Sequence, residues 1–269
     1  LTFGLILTNC CFIPFYWQKH TPMKNIFSGA AILCLAVSGT ASHAQLSNVP
    51  RFQLGVSAGA FIYQGDLTPS DIGSYRTAKP ALQLTAAKLF SRSLSLKAVF
   101  SFGALQGDDS RYAHPEYRRE RNFYFQSPVA EVAVQGEWAP LGTNYRERGF
   151  SPYISAGIGY SFLHVKRDYS RMNVAYFGAE SDLMPRLAED AATSPPRGVV
   201  TIPVSVGARY YLNDRWGVSL ETNYRITSSD YIDGFSRSAN PSRNDHFYSH
   251  TVGVVYRIGK KNMYGCPTY

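Results

Sequence analysis

The chain has 269 residues, with 27 Lys and Arg against 19 Asp and Glu, a formal charge of +8, 17% charged residues and 14% aromatics. That length allows one large or two small domains. A mean hydropathy of −0.19, with no run after residue 44 of about 18 or more consecutive apolar residues, excludes a bundle of membrane-spanning helices. Cys10, Cys11 and Cys34 lie near the N-terminus and leave Cys266 alone downstream. Neither a disulfide framework nor a CxxC metal site can be built from one cysteine.

The first element is a targeting segment, residues 23–44. Lys24 supplies a short positive region, Ile26 to Val37 an apolar stretch, and Ser42-His43-Ala44 a small-x-small site before Gln45. This is the grammar of a secretory signal peptide. Leu33 stands where lipoprotein processing at Cys34 would need a small residue. Residues 1–22 then read as an extension upstream of Met23-Lys24, and the mature domain as residues 45–269.

From residue 52 onward the hydrophobic pattern has period two, the signature of strands. The first run, 52–65, places Phe52, Leu54, Val56, Ala58, Ala60 and Ile62 on one face. The same split recurs over 80–90, 94–105, 123–138, 152–164, 199–212, 216–230 and 247–258. Each run has about 10 or more residues, the length a tilted strand needs to cross a bilayer, whereas soluble strands are nearer 5–6. Turns at 91–93 and 213–215 and a modest loop at 139–150 alternate with long connections at 66–78, 106–122, 166–198 and 232–246. Short turns on one rim and long loops on the other predict an all-β, eight-stranded antiparallel up-and-down transmembrane barrel. With a signal peptide and an even strand count, the expected location is a Gram-negative outer membrane, with both termini in the periplasm and lipid as the first partner.

A soluble eight-stranded barrel would also alternate, but its charged face would point to water. Here the less apolar face is rich in Gly and Ser with isolated charges, Lys97, Glu131, Glu137, Arg209, Glu221, Arg225 and Arg257. Those residues suit a narrow, filled lumen of ion pairs, because eight strands leave an interior that side chains fill. A diffusion porin is thereby excluded. Phe90, Trp138, Tyr210, Trp216 and Tyr256 fall near the short-turn rim, and Tyr63, Tyr124, Tyr231 and Tyr248 near the long-loop rim. Both sets are expected to form interfacial girdles, a better account of the aromatics than nucleic-acid stacking.

Several segments, taken in order, resemble the PorG-type outer-membrane barrels of Bacteroidota, components of the type IX secretion machinery. They are Tyr63-Gln64-Gly65-Asp66-Leu67, Gly107-Asp108-Asp109-Ser110 and Arg121-Asn122-Phe123-Tyr124. They continue with Ser151-Pro152-Tyr153, Gly157-Ile158-Gly159, Ile202-Pro203, Tyr224-Arg225 and Asp230-Tyr231-Ile232-Asp233. The resemblance covers most of residues 52–258, and the loop at 166–198 departs from it. It implies a non-enzymatic structural component that anchors periplasmic proteins of a secretion machine. No cofactor, metal or nucleic acid is implied.

Other chemistry has plain competing readings. Asp66 with Asp108 and Asp109 could hold a divalent cation, or could simply end strands and open loops. Asp230, Asp245, His246, Ser249 and His250 could make a rim hydrolase, but a triad needs base and nucleophile within hydrogen-bond reach, and Ser249 alternates away from both histidines. A barrel enzyme, or a ligand-binding or adhesive barrel acting through its long loops, is the alternative function. Charge favours the other rim. Arg51, Arg92, Arg146, Arg148, Arg215, Lys260 and Lys261 face only Glu147 and Asp214 there, whereas the long loops nearly balance. Such cations serve either lipid phosphates or an acidic docking partner.

Overall fold

The computed structural model describes residues 50–259 apart from 71, 179–180 and 241–243. The expected signal peptide and upstream extension, together with Lys260, Lys261 and Cys266, lie outside the described residues. The spanning strands are β1 (Phe52–Gln64), β2 (Lys79–Leu89), β3 (Leu94–Asp108), β4 (Tyr124–Trp138) and β5 (Gly149–Leu163). A three-residue β6 (Lys166–Asp168) precedes β7 (Gly198–Tyr211), β8 (Trp216–Thr227) and β9 (His246–Ile258). Every pairing is antiparallel, in the order β3-β2-β1-β9-β8-β7-β5-β4, and β3 pairs with β4 to close the sheet. β6 sits outside the eight and extends only the start of β4, Tyr124 opposite Asp168.

The strands lie within a few residues of the period-two runs, and the departures have physical causes. β3 continues to Asp108 because Asp108 pairs with Tyr124, so the β3–β4 hairpin stands beyond its neighbours. β8 stops at Thr227, where the Thr227 hydroxyl bonds to the carbonyl of Asp245 and turns the chain inward. The β5–β7 ladder runs on both sides of Pro203 but not through it, breaking between Ala156↔Val204 and Gly159↔Thr201. Proline has no N–H to give to a rung.

Side chains follow the alternation. Leu54, Val56, Leu84, Phe100, Val132, Ile154, Val206, Leu220 and Val252 are exposed on the outer face, while Gln53, Ser57, Gln83, Ser101, Ser155 and Thr251 are buried within. Such an inversion, apolar out and polar in, is stable only against hydrocarbon. Among the described residues no helix is long and apolar enough to cross a membrane. The strands are the spanning elements.

The interior has two storeys. Beneath the long loops lies an apolar core of Phe61, Leu67, Leu105, Phe123, Phe125, Leu163, Leu187, Ile232, Phe235 and Phe247. The long connections are therefore not open loops. They contain helices at Glu116–Arg121, Val174–Phe177 and Leu183–Ala192 and 3-10 turns at Tyr75–Thr77 and Asp109–Arg111. They lend Phe123, Leu187, Ile232 and Phe235 to the core, with Phe123 stacked on Phe235 at 4.4 Å. The lower storey is polar and charged.

The alternation predicts opposite fates for neighbours. Val204 is 43% exposed on the outer face and Ser205 1% exposed within. Val204→Arg should cost about 2–4 kcal/mol at the bilayer midplane and lower the yield of heat-modifiable barrel in membranes. Val204→Leu should leave that yield intact. Equal yields for wild type and Val204→Arg would place the lipid face elsewhere.

Candidate functional site

Every charge expected in the lumen is buried, and most have found an opposite charge. Arg209 on β7 grips Glu137 on β4 with both Nη atoms, Nη1 at 2.6 Å from Oε1. Lys97 on β3 donates to Glu221 on β8 at 2.7 Å and lies 3.8 Å from Glu137. Glu221 also accepts from Tyr153 at 2.7 Å and from Gln83 at 3.0 Å. The Tyr153 ring lies under the Arg209 guanidinium, 3.9 Å from its centroid. Gly207 makes room for that ring, since a Cβ there would sit 2.5 Å from it. One storey up, Arg225 pairs with Glu131 and lies against both the Phe61 and Phe247 rings, which meet edge to face. Arg225 also donates to Ser249 Oγ at 2.9 Å.

Arg257 is the exception. It lies over the Tyr211 ring and donates to the carbonyls of Arg146 and Thr143 rather than to a carboxylate. Those carbonyls belong to the 139–148 connection, which tucks Thr143 and Asn144, both buried, under the barrel. Asn144 is tied to Ser91 and Arg92 of the neighbouring turn. The modest loop of the sequence is a floor.

At the long-loop rim the PorG-like motif positions partly converge. Asp109, fully buried, accepts from Arg121 at 2.7 Å and from Arg118 at 3.4 Å. Both arginines also reach the carbonyl of Asp66. Asn122 ends their helix in the left-handed conformation, φ 50°, its N–H bonded to Arg118 O. Tyr63 presents its hydroxyl to Asp233 at 2.8 Å and Asp245 at 2.6 Å. Gly65 lies against this pair, because a Cβ there would be 2.0 Å from Asp245 Oδ1. Asp230 accepts instead from Ser236. Asp108 turns outward to Arg111 and Ser110, and Tyr224 stacks outside on Tyr248. Two girdle expectations are thus corrected. Tyr63 points inward to satisfy its hydroxyl among carboxylates, and the Tyr231 hydroxyl bonds to Asp190.

The possible hydrolase residues are dispersed. Ser249 faces the lumen and Arg225, whereas His250 lies on the outer face between Thr222 (2.8 Å) and the Tyr75 hydroxyl (2.9 Å). His246 Nδ1 contacts the Thr227 N–H, and Asp245 is engaged by Tyr63. Of the acids considered for a cation, Asp108 is held by Arg111 and Asp109 by Arg118 and Arg121, while Asp66 Oδ2 accepts from the Asn240 N–H at 2.7 Å; no group of three or more His, Cys, Asp or Glu is arranged for a metal among the described residues. A polar cavity of about 180 Å³ opens beside Asp66, Tyr117, Arg118 and Asn240. At the short-turn rim Arg51, Arg92, Arg146, Arg148 and Arg215 are all exposed.

The Tyr63 geometry needs a second proton. One hydroxyl has one hydrogen, yet two carboxylate oxygens lie within 2.8 Å of it. One carboxyl must therefore donate to the tyrosine oxygen. Burial, reinforced by Asp66 and Asp230, pushes Asp233 up to about 7, and burial with the Asp233 charge raises Asp245 well above its ordinary value. Arg118 and Arg121 face this group but bind Asp109. A carboxyl whose folded value is raised stabilises the fold fully below its unfolded value near 3.8, and that contribution is lost as pH rises through about 7. The segment 228–245 should resist limited proteolysis at pH 5 more than at pH 8, relative to Asp233→Asn. The asparagine amide supplies the donor at any pH, so the variant should lose the dependence. A wild type with no pH difference would refute the shared proton.

In the lumen, Glu137→Gln leaves Arg209 with a neutral partner, while Lys97 keeps Glu221. The expected cost is roughly 3–5 kcal/mol, read as a fall in the temperature at which the barrel loses its fast-migrating form on a gel. An unchanged transition would mean that the pair is dispensable.

The family described as outer membrane protein beta-barrel domain matches residues 30–257. No curated protein matches the chain in sequence. Among solved structures, Ail, the attachment invasion locus protein of Yersinia pestis in complex with the heparin analogue sucrose octasulfate, is 10% identical with a TM-score of 0.43, covering 78% of this chain and 99% of that one. Neisserial surface protein A is 11% identical with a TM-score of 0.42, over 77% and 97%. OprG from Pseudomonas aeruginosa is 12% identical with a TM-score of 0.42, over 80% and 99%. The family match spans all eight strands up to residue 257, so the chain belongs to the outer membrane protein beta-barrel domain family and is an outer-membrane β-barrel.

Proposed function

We propose that this barrel is a non-enzymatic anchor whose short-turn rim faces the periplasm and docks proteins of a secretion machine, as its resemblance to the PorG-type barrels implies. The observation that carries the reading is the placement of charge. Arg51, Arg92, Arg146, Arg148 and Arg215 are exposed on one rim against Glu147 and Asp214, and among the described residues none of these five is in an ion pair with a carboxylate. Exposed cations of one sign steer and register an acidic partner more than they stabilise the barrel itself. The filled lumen supports the same reading from the other side, since a barrel packed with ion pairs has no passage for solutes and must act through its rims.

The long-loop rim supports a second reading, ligand binding or adhesion. Its loops are folded rather than loose, and the cavity beside Asp66 and Arg118 is polar. The enzyme alternative has less support, because Ser249 and the two histidines lie on opposite faces of β9.

Arg146→Glu, Arg148→Glu and Arg215→Glu combined should leave insertion unchanged, since all three are exposed on turns. Crosslinking in intact cells should then recover fewer periplasmic proteins with the variant, and export should fall. If the variant inserts and keeps its partners, the docking surface lies elsewhere and these arginines serve lipid headgroups.

A further inference from the structure

The first two long connections are joined by an unusual clasp. Arg76, in the 3-10 turn Tyr75–Thr77, donates from Nη1 to the carbonyl of Arg111 at 3.0 Å. Arg111, in the turn Asp109–Arg111, donates from Nη1 to the carbonyl of Arg76 at 3.0 Å. The exchange ties each of two exposed arginines to the backbone of the other. Arg111 has one carboxylate, Asp108 at 3.2 Å. Arg76 has none among the described residues. Each guanidinium carries five N–H donors in a planar fork, so the clasp leaves further donors on both.

The height of the clasp on the barrel is fixed by its neighbour. Tyr75 stacks on His250 at 5.9 Å and 8°, and its hydroxyl lies 2.9 Å from His250 Nε2. His250 pairs with Ala60, and Ala60 with Pro80, two residues from the outward-facing Leu82. Tyr248 packs beside the same histidine, and aromatic clusters of this kind mark the level where lipid meets water. Arg76 follows Tyr75 in the same turn. Below it, Leu82 and Phe102 are register partners, both exposed on the lipid face.

We propose that Arg76 and Arg111 form a site for the phosphate monoester of a lipid headgroup in the leaflet on the long-loop side. Planar guanidinium forks match phosphate oxygens in pairs. A phosphate monoester bears close to two negative charges near neutral pH, enough to offset both guanidiniums at once. The acyl chains of the same molecule lie against Leu82 and Phe102, which favours a lipid over a free anion. The site does not depend on the docking reading or on which way the barrel faces.

The test uses the full-length chain in nanodiscs of phosphatidylcholine doped with phosphatidic acid, whose headgroup is a phosphate monoester. Lipid retained after transfer to detergent is measured by native mass spectrometry. Wild type should retain phosphatidic acid, and Arg76→Gln/Arg111→Gln should retain about tenfold less. Phosphatidylmethanol, with a singly charged phosphate, should be held weakly by both. Arg171→Gln/Arg186→Gln, exposed in the long connection 166–198 and outside the clasp, should retain phosphatidic acid as wild type does. Equal retention by wild type and Arg76→Gln/Arg111→Gln would overturn the site, and displacement by inorganic phosphate would overturn the lipid source. If the double variant fails to insert, Arg76→Gln decides alone, because Arg111 still donates to the carbonyl of residue 76.

Discussion

Closure of the sheet is the constraint from which the rest follows. β1 and β9 pair over their full length, from Phe52↔Ile258 to Gln64↔His246, and leave no open edge in a medium that offers backbone groups no other partner. Closure with eight strands fixes a narrow interior. It also commits one residue in two to that interior. Any charge placed there loses water on every side, which is costly unless a partner is supplied. Glu137 with Arg209, Glu221 with Lys97, and Glu131 with Arg225 are the arrangements that satisfy this demand. Arg257 meets it with backbone carbonyls and an aromatic face, so the floor formed by residues 139–148 belongs to the same network.

A column made only of ion pairs would be an expensive way to fill a barrel, because buried pairs recover little beyond their desolvation cost. The upper storey takes the other route. Phe61, Phe125 and Phe247 project inward from the strands near the long-loop rim, and Phe123, Leu187, Ile232 and Phe235 descend on them from the loops. This burial organises connections that would otherwise be open. Polar groups within the cap are then consumed locally. Asp190 accepts from the amides of Arg237 and Ser238, and Arg167 donates to the carbonyls of Gly234, Ala191 and Thr193. Segments distant in sequence become one lid.

How far the sequence speaks depends on the range of the interaction. Period-two alternation is a local property, so eight strands, their phase and the inward direction of Lys97, Glu131, Arg209 and Arg225 are legible from residue order alone. Which charge meets which is not. Lys97 on β3 and Glu221 on β8 are joined across the lumen rather than between adjacent strands, and only the closed cylinder brings them together. The cap escapes for a related reason. Leu187 repeats only with Leu183 and Met184 one helical turn before it, Phe235 stands in a polar stretch, and no window of sequence shows that Leu187 and Phe235 share a core. Tyr63 shows the limit most clearly. Its odd position in the alternation of β1 points inward, yet an aromatic at a strand end equally suits a girdle. The deciding fact is the pair of carboxylates from residues 233 and 245, well over a hundred residues away.

The two rims differ in charge, basic on the turns and nearly balanced in the loops, and the packed lumen keeps them apart. At the short-turn rim cations stand exposed on turns, and the nearest buried charge, Arg257, is also positive. At the long-loop rim carboxylates are drawn inward, and the exposed guanidiniums of Arg76 and Arg111 sit outside the cap, near the aromatic band. Each rim meets its surroundings separately, through ions and partners on its own side of the membrane. Packing the lumen thus does more than close a pore. It lets one small barrel keep a basic surface on one side of a bilayer and a proton-sharing acidic cluster on the other, without the two collapsing into a single internal network.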